Sequence, residues 1–184
     1  AMTDSITLIR NKLMADRKVL CTGNPDNPNN IAHGVQKIWP DATFLSKSSG
    51  WDLTNFDETE LIDIFKQHNT FINNSYIAPG VQKNLLDICN KSVKFCDVVN
   101  IGSTHELTDE GSKEYSRSKI ELKEASLHYN TFRFQTTHII LGGIATESNP
   151  EWLNTDTIAE TIYWCLHQEF KVPLISIIQP KQAW

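Results

Sequence analysis

The stretch "TFINNSYIAPGVQKNLLDICNKSVKFCDVVNIGS", residues 70–103, decides the fold class. It opens with a run rich in β-branched and aromatic residues (70–77), continues with a helical stretch (81–96) and returns to a β-rich run (97–103). Two such runs joined by a helix within about 30 residues are typical of a βαβ unit, whose strands lie parallel in one sheet. Residues 70–103 therefore predict a parallel sheet covered by helices.

The same alternation continues in both directions from this unit. Strands are predicted at residues 17–23, 42–50, 70–77, 97–103, 131–141 and 172–180. Helices are predicted at residues 29–40, 57–69, 81–96, 114–129 and 155–169. Because right-handed crossovers place helices on both faces of a parallel sheet, the sequence predicts a three-layer, doubly wound α/β fold.

Two helix starts and the domain bounds are also predicted. An Asn cap begins the helix at 29–40, which Pro40 stops, and Thr155 or Asp156 caps the helix at 155–169. A chain of 184 residues suits one domain with a sizeable core, here residues 2–184. Ala1, before Met2, is interpreted as an addition to the natural chain.

Composition and charge exclude several classes of protein. Hydrophobic residues make up 40% and charged residues 21% of the chain, an ordinary globular mix. The formal net charge is −5, whereas non-specific polyanion binders are basic, so no nucleic-acid partner is expected. No apolar run is long enough to span a membrane and no signal segment opens the chain, so no membrane location is expected.

The cysteines and histidines give no metal pattern. Cys21, Cys89, Cys96 and Cys165 form no Cys-x-x-Cys pair, and the histidines lack the His-Glu-x-x-His spacing of zinc sites. We therefore expect no metal and free, mostly buried thiols in a reducing, cytoplasmic compartment.

Polar and glycine-containing segments follow the predicted strands. The carboxyl ends of parallel strands meet at one edge of the sheet, where ligands bind at the point at which the strand order reverses. The segments are "CTGN" (21–24), "SKSSG" (46–50), "INNS" (72–75), "IGS" (101–103) and "LGGIAT" (141–146). The sequence therefore predicts a binding site along this edge.

Tyr115 and Lys119 occupy positions i and i+4 of the predicted helix 114–129, so their side chains share a face. A neighbouring ammonium lowers the pKa of a tyrosine from about 10, which would allow Tyr115 to exchange a proton near neutral pH. Ser103, at the sheet edge, could hydrogen-bond a carbonyl oxygen that Tyr115 protonates. The alternatives are an exposed polar helix face for Tyr115 and Lys119, and a helix cap for Ser103.

In this order the residues resemble the motifs of the short-chain dehydrogenase/reductase family. Ser103 followed by Tyr115-x-x-x-Lys119 matches the family's catalytic pattern. "CTGN", "WDLT" (51–54), "INNS" and "LGGIAT" are similar to its T-G, D-V/L-T, N-N-A-G and P-G-G-I-A-T segments. The resemblance extends over residues 19–180 and implies a Rossmann-like fold. It also implies an oxidoreductase that transfers a hydride between NADP(H) or NAD(H) and a carbonyl or alcohol substrate.

The resemblance implies a role for each matched residue. Tyr115 would act as general acid and base, Lys119 would bind the nicotinamide ribose and tune Tyr115, and Ser103 would polarise the substrate carbonyl. The carboxamide of the nicotinamide is expected at Thr146 and the backbone of Gly142. The other expected cofactor contacts are Gly23, Asn27, Asn29, Ile31, Ser46, Lys47, Ser48, Asp52, Leu53, Asn73, Asn74 and Tyr115.

The glycine loop departs from the family pattern. Asn27 and Asn29 stand where the second and third glycines of T-G-x-x-x-G-x-G are expected. "NIAHG" (30–34) is similar to the loop of enoyl-reductase relatives, with Asn30 as the cap of a helix whose N-terminus could receive phosphate. A proline-stiffened loop without a ligand is the alternative.

The chain is also short for the family. It lacks residues between "INNS" and the next helix and lacks the insertion after residue 146 that normally covers the substrate. The family's fourth catalytic residue falls on Gln82 or Asn84. These departures favour an alternative function, a dinucleotide-binding or scaffold protein with little or no catalysis.

Cofactor type and assembly are the last expectations. Lys47, between Ser46 and Ser48, suits a 2′-phosphate, so NADP(H) is favoured over NAD(H); otherwise Lys47 is a solvated loop lysine. The resemblance implies a homodimer or homotetramer, in which residues 181–184 could dock on a partner subunit. Residues of the helix 114–129 would either contact that subunit or face the chain's own sheet; they are Leu122, Ala125, Ser126 and Tyr129.

Overall fold

The structure is a computed structural model and describes residues 2–108 and 112–180. Its helices are α1 Met2–Met14, α2 Ile31–Ile38, α3 Glu58–Lys66, α4 Val81–Ser92, α5 Lys113–Tyr129 and α6 Thr155–Leu166. Its strands are β1 Val19–Thr22, β2 Thr43–Leu45, β3 Thr70–Asn73, β4 Cys96–Ile101, β5 Phe134–Leu141 and β6 Leu174–Ile177. Two short 3₁₀ helices, Lys47–Ser49 and Thr104–Glu106, follow β2 and β4.

The strands form one parallel sheet in the order β2-β1-β3-β4-β5-β6. The chain moves outward from β1 to β2 and then returns to the other side of β1, so the order reverses between β1 and β3. The predicted Rossmann-like, doubly wound α/β fold is therefore confirmed. In such a sheet the crevice for a ligand opens at the carboxyl ends of the strands beside this reversal.

Both faces of the sheet are covered because successive strand residues point in opposite directions. Leu20, Phe71 and Val98 pack against α3, α4 and α5 on one face. Their neighbours on the other face, which pack against α2 and α6, are Cys21, Ile72 and Val99. The sheet is therefore the middle layer of three.

Helix α1 was not predicted. Its apolar residues form no single buried stripe, because Leu8, Ile9 and Leu13 are exposed whereas Met14 is buried. The helix is also tied to the sheet by charge, since Arg10 forms a buried ion pair with Asp97 of β4. An ion pair of this kind leaves no amphipathic periodicity in the sequence, so α1 could not be predicted from its pattern.

The helix caps agree with the sequence at one end and differ at another. The Asn30 side chain accepts a hydrogen bond from the backbone N–H of Ala32 at 3.0 Å, which confirms an Asn cap on α2. The cap of α6 is Asn154, whose side chain accepts from the N–H of Thr157 at 2.8 Å. The predicted Thr155 or Asp156 cap is wrong, because those residues already lie in the first helical turn.

The face of α5 considered for subunit contacts packs on the chain's own sheet. Leu122 and Ala125 belong to the core, and the Ser126 hydroxyl accepts a hydrogen bond from Asn100 Nδ2 at 3.1 Å. Tyr129 donates its hydroxyl to the Asp87 carboxylate at 2.7 Å. Of the two alternatives, these residues therefore follow the second, and the proposed docking segment 181–184 lies outside the described residues.

The remaining global expectations concern thiols, membranes and metals. All four cysteines are free and buried, as predicted. No helix in the described part of the chain has the length and apolar character needed to cross a membrane. Within residues 2–108 and 112–180, no cluster of three or more His, Cys, Asp or Glu side chains could hold a metal ion.

Candidate functional site

A cavity of about 710 Å³ opens at the carboxyl ends of β4 and β5. It brings together six residues that the sequence placed in the site; they are Ile31, Asn74, Ser103, Tyr115, Lys119 and Gly142. We call it the β4–β5 cavity. Its other lining residues are Tyr76, Ile101, Gly102, Thr104, His105, Leu141, Gly143, Ile144, Glu151, Trp152 and Gln179.

A second depression of about 350 Å³, here called the β1–β2 groove, lies over the ends of β1 and β2. It shares Ile31, Asn74, Tyr76 and Ile144 with the β4–β5 cavity, so the two are continuous. Its remaining lining residues are Gly23, Asn24, Asn29, Asn30, Leu45, Ser46, Lys47, Leu53, Ser75 and Ile77. One elongated site therefore follows the edge of the sheet predicted for ligand binding.

Asn74 connects the end of β1 with the cap of α2 at the position where the strand order reverses. Its Nδ2 donates to the Thr22 carbonyl and to Asn30 Oδ1, both at 2.9 Å. Gly23 follows β1 at this point with a φ of +129°, and a Cβ there would lie 2.6 Å from Asn30 Oδ1 and 2.7 Å from Asn74 Nδ2. Only glycine suits both the backbone and the space, because other residues rarely adopt such a φ.

The loop that replaces the family's glycines is built from Asn turns. Asn24 Oδ1 accepts from the N–H of Asp26, and Asn27 Oδ1 accepts from the N–H of Asn29, both at 3.0 Å. Asn29 lines the β1–β2 groove, whereas Asn27 does not. In the described residues no non-glycine residue has a positive φ, so neither asparagine imitates a glycine conformation.

Lys119 is buried in the floor of the cavity, with 2% of its surface exposed. Its Nζ donates to Gln82 Oε1 at 2.7 Å and to the Ile101 carbonyl at 2.8 Å. Burial lowers the pKa of Lys119 from 10.5 to about 8, and the nearby charge of Glu106 opposes this shift. A lysine in this environment can change its charge under ordinary assay conditions.

Of the two candidates for the fourth catalytic position, Gln82 is the one that contacts Lys119. Its Nε2 donates to the carbonyls of Asn73 at 2.9 Å and Ile101 at 3.1 Å, while its Oε1 accepts from Lys119. Asn84, two residues later on α4, is exposed. The sequence could not separate them, because only the direction of α4 decides which amide points inward.

Tyr115 stands in an aromatic cluster. Its ring packs edge-on against Tyr76, with 4.6 Å between centroids, and against His105 at 5.6 Å. The ammonium of Lys119 lies 5.5 Å from the centroids of both tyrosine rings, within the range of a cation–π contact. Burial raises the pKa of Tyr76, and the charges of Glu114 and Tyr115 add to this effect.

Ser103 lines the cavity and also caps the 3₁₀ helix Thr104–Glu106. Its Oγ accepts a hydrogen bond from the N–H of His105 at 3.2 Å, and its own N–H donates to Glu106 Oε2 at 3.1 Å. The helix-cap alternative is thus realised, and it is compatible with a site role. Since the hydroxyl acts as acceptor here, its proton remains available for a carbonyl oxygen in the cavity.

A buried acid–base pair lies behind this turn. Both carboxylate oxygens of Glu106 contact His138 Nε2, at 3.1 and 3.0 Å, and Lys123 Nζ lies 3.5 Å from the carboxylate. Glycine is required beside the pair, since a Cβ at Gly102 would lie 2.3 Å from His138 Nε2. The pair could not be predicted from the sequence, because its members lie 32 positions apart in the chain.

Asn73 takes a different position from the neighbouring Asn74. It is fully buried and donates through Nδ2 to the Gln82 carbonyl at 2.8 Å and to Asn100 Oδ1 at 3.0 Å. It lines neither the β4–β5 cavity nor the β1–β2 groove. Its contacts connect β3 with α4 and β4 below the site.

Three further predicted contacts also lie outside both depressions. Ser48 shares a hydrogen bond with the hydroxyl of Ser46 at 2.7 Å. Hydrogen bonds from Thr54 lower the pKa of the Asp52 carboxyl, and the charge of Lys47 adds to this effect. The third residue, Thr146, is exposed in a turn closed with Asn149.

Comparison with protein-family models and with curated proteins finds no match. Solved structures do match. A serine dehydrogenase from Escherichia coli is similar with a TM-score of 0.65 and 14% identity, over 90% of this chain and 99% of that one. A short-chain dehydrogenase/reductase from Vibrio parahaemolyticus has a TM-score of 0.64 and 14% identity, over 86% and 98%. A short chain dehydrogenase from Burkholderia cenocepacia in complex with NADP has a TM-score of 0.64 and 13% identity, over 88% of each chain.

These likenesses show that the chain has the fold of the short-chain dehydrogenase/reductases. The resemblance inferred from the motifs is confirmed in the fold. Because the identities are 13–14% in these three structures, activity and cofactor have to be argued from the site itself.

Proposed function

We propose that this protein is an oxidoreductase of the short-chain dehydrogenase/reductase type, acting on a carbonyl or alcohol with NADP(H) in preference to NAD(H). One observation carries the proposal. Ser103, Tyr115 and Lys119 line one cavity at the carboxyl edge of the sheet, and that cavity is continuous with a groove long enough to cross the strand reversal. A hydroxyl, a phenol and an ammonium at this edge are the groups that carbonyl reduction requires.

The residues present fit a dinucleotide along this path. Gly23 lines the β1–β2 groove without a side chain, and the N-terminus of α2 attracts phosphate. Lys47 lines the far end of the groove, where it would meet a 2′-phosphate. Lys119 and Gly142 line the cavity end, where they would hold the nicotinamide ribose and carboxamide. The bound nicotinamide would supply or accept the hydride.

The chain's own groups would then handle the proton and the carbonyl. Tyr115 donates its phenolic proton to the carbonyl oxygen in reduction and takes it back in oxidation. Ser103 donates a hydrogen bond to the same oxygen. The ammonium of Lys119 has three N–H donors, of which Gln82 and Ile101 take two, leaving one for the ribose or Tyr115.

A binding protein without catalysis is the second candidate. Asn30 favours it, because its side chain accepts from the N–H of Ala32 and so uses one of the donors that phosphate would meet at the start of α2. In this case the cofactor binds weakly and no carbonyl is reduced.

Binding is tested first, by calorimetric titration with NADPH and NADH. We expect tighter binding of NADPH, and a loss of about tenfold for Lys47→Ala that is confined to NADPH. Lys91→Ala, an exposed change on α4, is the control. Failure of both dinucleotides to bind at millimolar concentration would refute the oxidoreductase and the binding protein alike.

Catalysis is tested next, by following NADPH consumption with a panel of aldehydes and ketones. Tyr115→Phe should bind NADPH as the wild type does but reduce carbonyls at least about a hundredfold more slowly, since it has no proton to donate. Equal rates for the two proteins would remove Tyr115 from the chemistry. Binding without any turnover would favour the second candidate.

A further inference from the structure

One part of the wall of the β4–β5 cavity belongs to a short loop, residues 143–153, that is closed by backbone hydrogen bonds. Leu153 donates its N–H to the Gly143 carbonyl at 3.0 Å, and Ala145 donates to the Leu153 carbonyl at 2.7 Å. Within the loop, Trp152 donates its N–H to the Asn149 carbonyl at 3.2 Å. The loop is therefore closed at its base and across its tip, and its side chains are presented from a defined backbone.

This loop places two side chains on the cavity, Glu151 and Trp152. The indole covers Gly143 so closely that a Cβ there would lie 2.3 Å from Trp152 Cε3. Glu151 is exposed, and in the part of the chain that the structure describes its carboxylate has no ion-pair partner. An aromatic face and an adjacent unpaired carboxylate thus stand on the open side of the cavity.

Negative charge predominates on the solvent-facing side of the β4–β5 cavity. Among the described lining residues, the side chains that carry a charge, apart from His105, are Lys119 and Glu151. Lys119 is buried and already donates to two acceptors, whereas Glu151 faces solvent. Glu114 does not line the cavity, but its charge acts on the lining residue Tyr76, whose pKa it helps to raise. A molecule entering the cavity therefore meets negative charge first.

We infer that the site selects carbonyl or alcohol substrates by charge: neutral or cationic substrates bind, and substrates bearing a carboxylate or phosphate are rejected by Glu151. This inference rests on the proposed function and extends it to the class of substrate. The neighbouring indole and phenol rings supply apolar and cation–π contact for the accepted class. Because the carboxylate is partly solvated, the expected selectivity is about fivefold per unit of charge at low salt, and it falls as salt is added.

The test uses three matched benzaldehydes and their benzyl alcohols, with a carboxylate, a methyl ester or a trimethylammonium group opposite the reacting carbon. Reduction of the aldehydes is measured with NADPH, and binding of the alcohols is measured separately by saturation-transfer NMR. The proteins are the wild type, Glu151→Gln and Glu151→Lys. Glu147→Gln is the matched control, because Glu147 is exposed on the same loop but does not line the cavity.

The wild type and the control should favour the ammonium compound over the carboxylate by about 25-fold, which is fivefold for each of two charge steps. The preference should nearly vanish in Glu151→Gln and reverse in Glu151→Lys. Equal handling of all three compounds by the wild type, or a preference that survives in both Glu151 variants, overturns the inference.

The two readouts separate this inference from the proposed function. Charge-selective binding of the alcohols without aldehyde reduction supports selection by Glu151 and refutes the oxidoreductase. Reduction of all three aldehydes at equal efficiency supports the oxidoreductase and overturns the charge selection. Absence of both binding and reduction overturns both.

Discussion

The buried ammonium of Lys119 makes the stability of this protein depend on pH in a way that can be measured without any ligand. Its pKa is about 8 in the folded chain against 10.5 when exposed, because burial disfavours the charged form. Between these values the unfolded chain holds a proton that the folded chain has released. The contribution of Lys119 to the free energy of unfolding therefore rises with pH across this window. The buried thiols, whose pKa values burial raises, contribute with the opposite sign, so the effect of Lys119 is read as the difference between the wild type and a Lys119 variant.

The magnitude follows from the two pKa values. The full difference corresponds to about 3 kcal/mol, present above the upper value and absent below the lower one. Between about pH 7 and about pH 9 the folded protein should gain about 1.3 kcal/mol from this group. Lys119→Met removes the buried charge but leaves Gln82 Oε1 and the Ile101 carbonyl without a donor, at a cost of about 1–3 kcal/mol each.

In Lys119→Met the gain in stability from removing the buried charge and the loss from the two unpaired acceptors nearly cancel at neutral pH. At alkaline pH the gain is smaller, because Lys119 of the wild type is then neutral, and the loss predominates. We expect the variant to unfold at a similar urea concentration to the wild type near pH 7, and at a lower one near pH 9. The assay is urea denaturation followed by circular dichroism at several pH values, with Lys91→Met as the control for loss of an exposed lysine. Parallel pH curves for the wild type and Lys119→Met would refute a lowered pKa at this position.

Substitutions at three other positions test buried contacts near the site and at the opposite end of β4. Gly102→Ala should destabilise the protein by about 1–3 kcal/mol in thermal unfolding, because the added Cβ would lie 2.3 Å from His138 Nε2; an unchanged melting temperature would contradict the close approach. Gln82→Glu places a carboxylate where Lys119 Nζ now meets an amide oxygen, so the pH window of stability should move upward, whereas Gln82→Leu should lower the stability at every pH. Asp97→Asn removes the buried negative charge that pairs with Arg10 and Arg17, and it should lower the free energy of unfolding, measured by urea denaturation, by about 3–5 kcal/mol. A decrease below about 1 kcal/mol would show that the two arginines find other partners.

The fold could be predicted because its signals are local. Residues 70–103 contain strand, helix and strand in sequence, and the parallel pairing of β3 with β4 follows from that order. Ser103 and Lys119 could be placed near each other for the same reason, since one follows a strand end and the other lies on the next long helix. Helix α1 could not be predicted, because an ion pair with β4, rather than a buried apolar stripe, attaches it to the sheet.

The contacts around the site could not be predicted, because they depend on distant parts of the chain meeting. Gln82 reaches Lys119 across 37 positions, and Glu106 reaches His138 across 32. The neighbouring residues Asn73 and Asn74 also could not be told apart from the sequence. Asn73 ends β3 inside the core while Asn74 opens onto the ligand edge, and a shift of one residue in the strand end would exchange them.

The surroundings of Lys119 affect how fast this side chain can exchange a proton with the solvent. Gln82 and the Ile101 carbonyl close the rear of the ammonium, and its front faces the β4–β5 cavity. A molecule filling that cavity would seal this lysine from the buffer. A proton could then reach or leave Lys119 only by way of the occupant or the groups around it, so proton exchange between this lysine and the buffer should be slower in the complex than in the free protein.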